Sequence, residues 1–204
     1  MVTADRVLTD AQLTRFLKHL RSEKDRSITV LQAKIKPNRR DTRIVIDYYL
    51  FSLICNTGLR ISEALNLKTT DIHDDFLVIR PEVSKNGKRG TVYFGHKTRK
   101  LLDEFILIKA ITLKIDTSDF LFSKGSKLLS RSYMHGRFKM WMKQIGYAPE
   151  LSIHCLRHTY ATQCLDKGLS LQFVRENLRH SNIGITSRYL HLTKENRDKV
   201  KDLF

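Results

Sequence analysis

DTRIVIDYYLFSLICNTGLRISEALNL, Asp41 to Leu67, is the stretch that decides how this chain folds. Its first part reads as a helix from about Asp41 to Asn56. The run IVIDYYLFSLIC within it is apolar on nearly every face, so the helix has no side to give to water and belongs in the centre of the core. Gly58 ends it, because glycine takes the left-handed conformation of a helix C-cap without a Cβ clash. ISEALNL then reads as a short helix.

Upstream, Thr9 and Gln12 are spaced as a capping box, and Leu8 and Leu13 as a hydrophobic staple. Leu13, Phe16, Leu17 and Leu20 continue at helical spacing. The stretch from about Ser22 to Arg40 is polar and basic and reads as a loop. Downstream, Phe76 to Arg80 (FLVIR) and Thr91 to Phe94 (TVYF) are β-branched or aromatic runs. Between them SKNGKRG holds the turn signal Asn86-Gly87, so a small antiparallel sheet with a basic, mobile hairpin is expected. The remainder is helical: HKTRKLLDEFILIKAITL, then SRSYMHGRFKMWMKQIG capped by Ser130, then about Ile153 to Lys167 ended by Gly168. LQFVRENL follows, capped by Ser170. A short helix is expected to carry Tyr189, and TKENRDKVKDLF a polar C-terminal helix. The expected class is mainly α with a small antiparallel β-sheet (α+β), in one domain over residues 1–204.

Composition narrows the function. Of 204 residues, 41% are hydrophobic and 28% charged, a globular balance. Lys and Arg total 37 against 21 Asp and Glu, a net charge of +16. Such an excess repels itself unless an anion neutralises it, and nucleic acid phosphate is the leading candidate. The basic residues are spread along the chain with no basic amphipathic tail, which disfavours a membrane surface. Neither a signal peptide nor an apolar run of bilayer-spanning length is present, so a cytoplasmic, DNA-associated protein is expected. Three cysteines, Cys55, Cys155 and Cys164, form no CxxC pair. Neither a disulfide framework nor a cysteine zinc site is indicated, and the usage fits a reducing compartment.

Two stretches could carry chemistry. HCLRHTYAT, His154 to Thr162, puts His154 and Arg157 on one helical face, a pairing suited to phosphate: arginine offers a fixed fork of donors and histidine a directional one. His158 reads better as a packed, hydrogen-bonded histidine. His154 and His158 have the spacing of HExxH, but Cys155 stands where the general base should be, so a metalloprotease reading is poor. LRHSNIGITSRYLH, Leu178 to His191, sets His180 nine residues before Tyr189. A tyrosine, with its pKa near 10, is a weak nucleophile unless cations stabilise the phenolate and the reacting phosphate together. Arg60, His154, Arg157 and His180 are groups of that kind.

At these motifs the chain resembles the catalytic domain of the tyrosine site-specific recombinases, the phage integrase family. TGLRISEALNL is similar to the family's first arginine box, which implies Arg60 as a catalytic arginine and Glu63 as the acidic residue supporting it. HCLRHTYAT is similar to the second box and implies His154 and Arg157. LRHSNIGITSRYLH is similar to the third and implies His180 and the nucleophile Tyr189. SKNGKRG matches the hairpin carrying a general-acid lysine; Lys85 is the better match and Lys88 its competitor. The boxes occur in the family's order, from about Leu8 to the end. Two departures stand out. Arg179 replaces the glycine of the family's LGH, adding a positive charge and restricting the backbone. The family's N-terminal core-binding domain is missing from the chain, so it is expected to be absent or trimmed.

The resemblance implies cleavage of double-stranded DNA through a 3′-phosphotyrosine, with no metal, ATP or other cofactor, by a homo-tetramer on DNA that is a possible monomer without it. Accessory directionality or DNA-bending proteins are compatible with it. Thr193 to Phe204 would be a tail that docks on a neighbour, or an ordinary intramolecular helix. The rivals are a type IB topoisomerase, a non-catalytic DNA-binding regulator of the same fold, and an RNA-binding protein, for which no stacking-aromatic module is found. The target DNA site and the kind of genetic element served are not legible.

Overall fold

The computed structural model describes residues 7–33, 38–85, 87–115, 119–124, 127–147 and 150–180. In chain order the elements are α1 (Asp10–Gln32), α2 (Arg39–Thr57), α3 (Ile61–Leu65), a 3-10 turn (Thr69–Asp71), β1 (Phe76–Ile79), β2 (Gly90–Tyr93), α4 (His96–Ile111), β3 (Ser123–Lys124), β4 (Lys127–Leu128), α5 (Arg131–Gln144), α6 (His154–Asp166) and α7 (Leu171–Leu178). The architecture is mainly helical with a small antiparallel sheet, β1–β2, as expected; the second short pair, β3–β4, lies in a stretch that read as helical or connecting. The two helices expected beyond His180 lie outside the described residues.

α2 is the axis of the fold. Residues Ile44 to Cys55 are buried without a break, and α1, α3, α4 and α6 all pack against it. Aromatic rings fill the seams. Phe16 of α1 lies 6.0 Å from Phe51 and 5.7 Å from Phe138 of α5, centroid to centroid. Tyr49 stacks on Phe105 of α4 at 4.7 Å, which stacks in turn on Phe122 at 5.1 Å. Asp47 is a buried carboxylate in the middle of this apolar helix. It accepts from Arg137 Nε at 2.8 Å, Arg137 Nη2 at 2.5 Å and Trp141 Nε1 at 2.7 Å, which fastens α5 to α2.

The N-terminal helix corrects the sequence reading. α1 does not stop near Ser22 but runs to Gln32. Its inward stripe continues the 3-4 spacing through Leu13, Phe16, Leu20, Lys24, Ser27 and Leu31. Two of those positions are polar, which hid the period. Lys24 places its ammonium over the rings of Tyr48 and Tyr49, with Nζ 5.0 and 5.6 Å from their centroids. Ser27 donates to Asp41 at 3.2 Å. Asn38, whose side chain accepts from the Asp41 N–H, then starts α2. The caps at Thr9, Gly58, Ser130 and Ser170 are as expected.

β1 and β2 pair antiparallel, Phe76 opposite Tyr93 and Ile79 opposite Gly90. Their connection is longer than a two-residue turn. Residues 80–85 and 87–89 lie outside the sheet; the chain bends first where the Ser84 N–H donates to the Arg80 carbonyl at 3.1 Å, and Gly87 takes φ 64° further along. Arg80 anchors this bend by donating to Asp71 at 3.1 Å and to the Asn66 carbonyl at 2.6 Å. No described helix is long and apolar enough to cross a membrane.

Candidate active site

The corner after α2 carries the first part of the site. Gly58 adopts φ 65°, ψ 18° and returns its N–H to the Ile54 carbonyl at 2.8 Å. A Cβ there would collide with Leu178 and Tyr160, so the position requires glycine for space as well as for conformation. The chain re-enters helix at Arg60. The Glu63 carboxylate accepts the Arg60 backbone N–H and the Arg60 Nη1–H, both at 2.8 Å. An arginine side chain only donates, so this is half of a capping box, and the carboxylate serves to hold the guanidinium. Glu63 is buried, whereas the Arg60 side chain keeps 20% of its surface open.

α6 supplies the second part. Arg157, one turn into the helix, is 3% exposed. Its Nη1 donates to the Gly58 carbonyl at 2.5 Å and its Nη2 to the Leu178 carbonyl at 2.6 Å. One planar fork thus joins the end of α2 to the end of α7. His154 opens α6 with its outer side exposed, and its ring meets the edge of half-buried His158 at 5.6 Å. Among the described residues no group of three His, Cys, Asp or Glu side chains is placed to hold a metal.

α7 brings the third part. It closes with Arg179 N–H on the Glu176 carbonyl at 2.9 Å and His180 N–H on the Arg175 carbonyl at 3.0 Å, a Schellman-type end. Arg179 takes the left-handed conformation, φ 55°, ψ 47°. For a residue with a Cβ this costs about 1–2 kcal/mol. Its side chain donates to the Asn177 carbonyl at 3.0 Å and to Glu63 Oε2. Asn177 itself is buried and clamps β2: it accepts the Tyr93 N–H at 2.6 Å, donates to the Tyr93 carbonyl at 3.2 Å and donates to Tyr160 Oη at 2.7 Å.

The charges bias one another. For Glu63, burial is the largest single influence and opposes ionisation. The charge of Arg179, the Arg60 N–H and the charges of Arg157 and Arg60 together outweigh it and hold the carboxyl below its ordinary value. The pKa of His154 is lowered by burial of its ring, then by Arg157 and Arg60, although its outer side meets solvent. Burial, followed by the charges of Arg157 and Arg60, pushes His180 down to about 3. Both imidazoles are therefore neutral at neutral pH, able to donate one hydrogen bond and to accept a proton. A phosphodiester anion entering between the arginines would favour their protonated forms.

Arg60, Glu63, His154, Arg157 and His180, far apart in the chain, thus gather in one cluster. Lys85 and Lys88 are exposed in the connection between β1 and β2. Among the described residues no hydrogen bond or ion pair ties either to the cluster. The connection nonetheless returns at Gly90, where an added Cβ would strike Arg179 Cδ. Tyr189 lies outside the described residues. Two residues that hold the site escaped sequence reasoning. Asn177 looks like any polar residue near a helix end, and Arg179 stood out only as a departure from LGH. Its partner Glu63 is 116 positions away, so no local signal could name it.

Known proteins are similar to this chain. The chain is 34% identical over 153 residues to a tyrosine recombinase of Thermosipho africanus, covering 74% of this chain and 52% of that protein. It is 31% identical over 163 residues to tyrosine recombinase XerC of Proteus mirabilis, covering 80% and 53%. The chain spans about half the length of these curated relatives. Among solved structures, XerA recombinase superposes with a TM-score of 0.67 at 24% identity, over 97% of this chain and 64% of that one. The Tn1549 transposon integrase in complex with circular intermediate DNA gives 0.68 at 18% identity, over 98% and 66%. At those identities the likeness is one of fold. Residues 6–196 match the phage integrase family, and the chain belongs to that family.

Proposed function

We propose that this chain is the catalytic part of a site-specific DNA recombinase that cuts and rejoins double-stranded DNA through Tyr189. The observation that carries the reading is the convergence of Arg60, Arg157, His154 and His180 on the corner at Gly58, with Glu63 behind Arg60. Two arginines and two neutral imidazoles suit a phosphodiester whose charge grows in the transition state. Arg60 and Arg157 would bind the non-bridging oxygens, and a histidine would help accept the tyrosine proton. Tyr189 would attack in line, leaving a 3′-phosphotyrosine and a 5′-hydroxyl, and Lys85 would protonate the departing oxygen. Because the phosphotyrosine conserves the ester bond, another strand's 5′-hydroxyl can reverse the step. The +16 charge supplies the attraction to DNA. A tetramer on DNA is part of the proposal. The relatives are recombinases and integrases, which favours recombination over topoisomerase-like relaxation.

The test is a suicide-substrate assay on nicked DNA, run with wild type and Tyr189→Phe in the presence of EDTA. A covalent band in wild type alone is expected. A band that persists in Tyr189→Phe removes Tyr189 as the nucleophile.

A further inference from the structure

The function proposed above has no use for Arg179, yet its side chain is 88% buried against the site (12% exposed) and bridges two of its parts. The Glu63 carboxylate is shared: Oε1 receives Arg60 Nη1, while Oε2 receives the Arg60 N–H and Arg179 Nη2. Arg179 Nη1 turns back to the Asn177 carbonyl at 3.0 Å. Its stem crosses Gly90, the first residue of β2, where an added Cβ would displace it. A single side chain at the exit of α7 therefore touches α3, α7 and the return of the Lys85 connection. This occurs at a left-handed position that glycine would fill without strain. If helix capping were all that the position provided, glycine would serve it better.

We infer that Arg179 is a positioning residue: it holds the exit of α7, and with it His180, against Glu63 at the Arg60 corner. The inference rests on the recombinase reading. By taking part of the Glu63 charge, Arg179 also leaves the Arg60 guanidinium less neutralised toward a phosphate.

The experiment compares wild type, Arg179→Gly and Arg179→Lys in the full chain. Three quantities are read: the single-turnover rate of covalent adduct formation on nicked DNA, the salt dependence of DNA affinity, and the imidazole NMR signals of His180 without DNA. Arg179→Gly relieves the backbone and removes the grip, while Glu63 keeps its hydrogen bonds from Arg60; thermal unfolding of each variant accompanies the assay. The adduct rate of Arg179→Gly at saturating DNA is expected to fall by about 10- to 100-fold, as for a small misplacement of reacting groups. Affinity is expected to stay close to wild type, the His180 signals to move, and Arg179→Lys to recover part of the rate. A capping role predicts the reverse order, with Arg179→Gly as fast as wild type and Arg179→Lys slower, and that result overturns the inference. So does a loss of affinity with a shallower salt dependence and an unchanged saturated rate, which would make Arg179 a phosphate contact. If wild type forms no adduct, the recombinase reading fails, and the tie itself is then judged on His180: signals that move in Arg179→Gly and return in Arg179→Lys support it, and signals that do not move refute it.

Discussion

Arg157 donates to the carbonyl of Gly58, 99 positions earlier in the chain, and with its other Nη to Leu178. The residue expected to bind a phosphate is thus also a strut between the ends of α2 and α7. Neither end can move without disturbing the guanidinium, so its orientation is set before DNA arrives. Preorganised donors of this kind require little rearrangement in the transition state.

Arg157→Lys should therefore show two losses at once. A single ammonium cannot reproduce the planar fork, and leaving one buried carbonyl without its donor costs about 1–3 kcal/mol. Calorimetry should show a fall of several degrees in Tm, and adduct formation should drop by about 100-fold or more. An unchanged Tm would mean that the strut does not support the fold.

The pH dependence of His180 has a definite sign. Its pKa lies at about 3 in the folded chain, below the ordinary 6.5. Between those values the unfolded chain binds more protons than the folded one, so stability from this group is complete above about pH 6.5 and declines as pH falls toward 3. The imidazole resonances should stay in their neutral form down to about pH 4 in the free protein. Titration near 6.5 would show that the ring is not held in the cluster. A bound phosphodiester should move the titration upward.

Lys85 and Lys88 can be separated by the chemistry of the leaving group. A general acid matters when the departing atom is a poorly acidic alcohol oxygen and loses its importance when sulfur replaces it. Lys85→Ala should slow cleavage of ordinary DNA by about 10²–10⁴-fold and should recover on a substrate with 5′-bridging sulfur. Recovery confined to Lys88→Ala would exchange the two assignments.

Asp47 should matter to folding alone. Asp47→Ala leaves Arg137 and the Trp141 N–H without the carboxylate that both bind. Removing one member of a buried pair destabilises by about 3–5 kcal/mol. Denaturant unfolding should show that loss, while DNA affinity under folding conditions stays unchanged.

What the sequence determined by itself was local. The apolar run through α2, the stop at Gly58 and the caps at Thr9, Ser130 and Ser170 each depend on neighbours within a few residues, and all could be read directly. The motifs that nominate Arg60, Glu63, His154, Arg157 and His180 were legible in order along the chain. The reach of α1 was not, because Lys24 and Ser27 read as polar until Tyr48, Tyr49 and Asp41 surround them. Nor was the place of Arg179, since its grip on Glu63 exists only once α7 packs on the corner at Gly58. Tertiary structure alone decided which charges share a carboxylate and which histidines stay neutral. Burial and the distance between charges set those properties, and both arise from contacts between residues far apart in the chain.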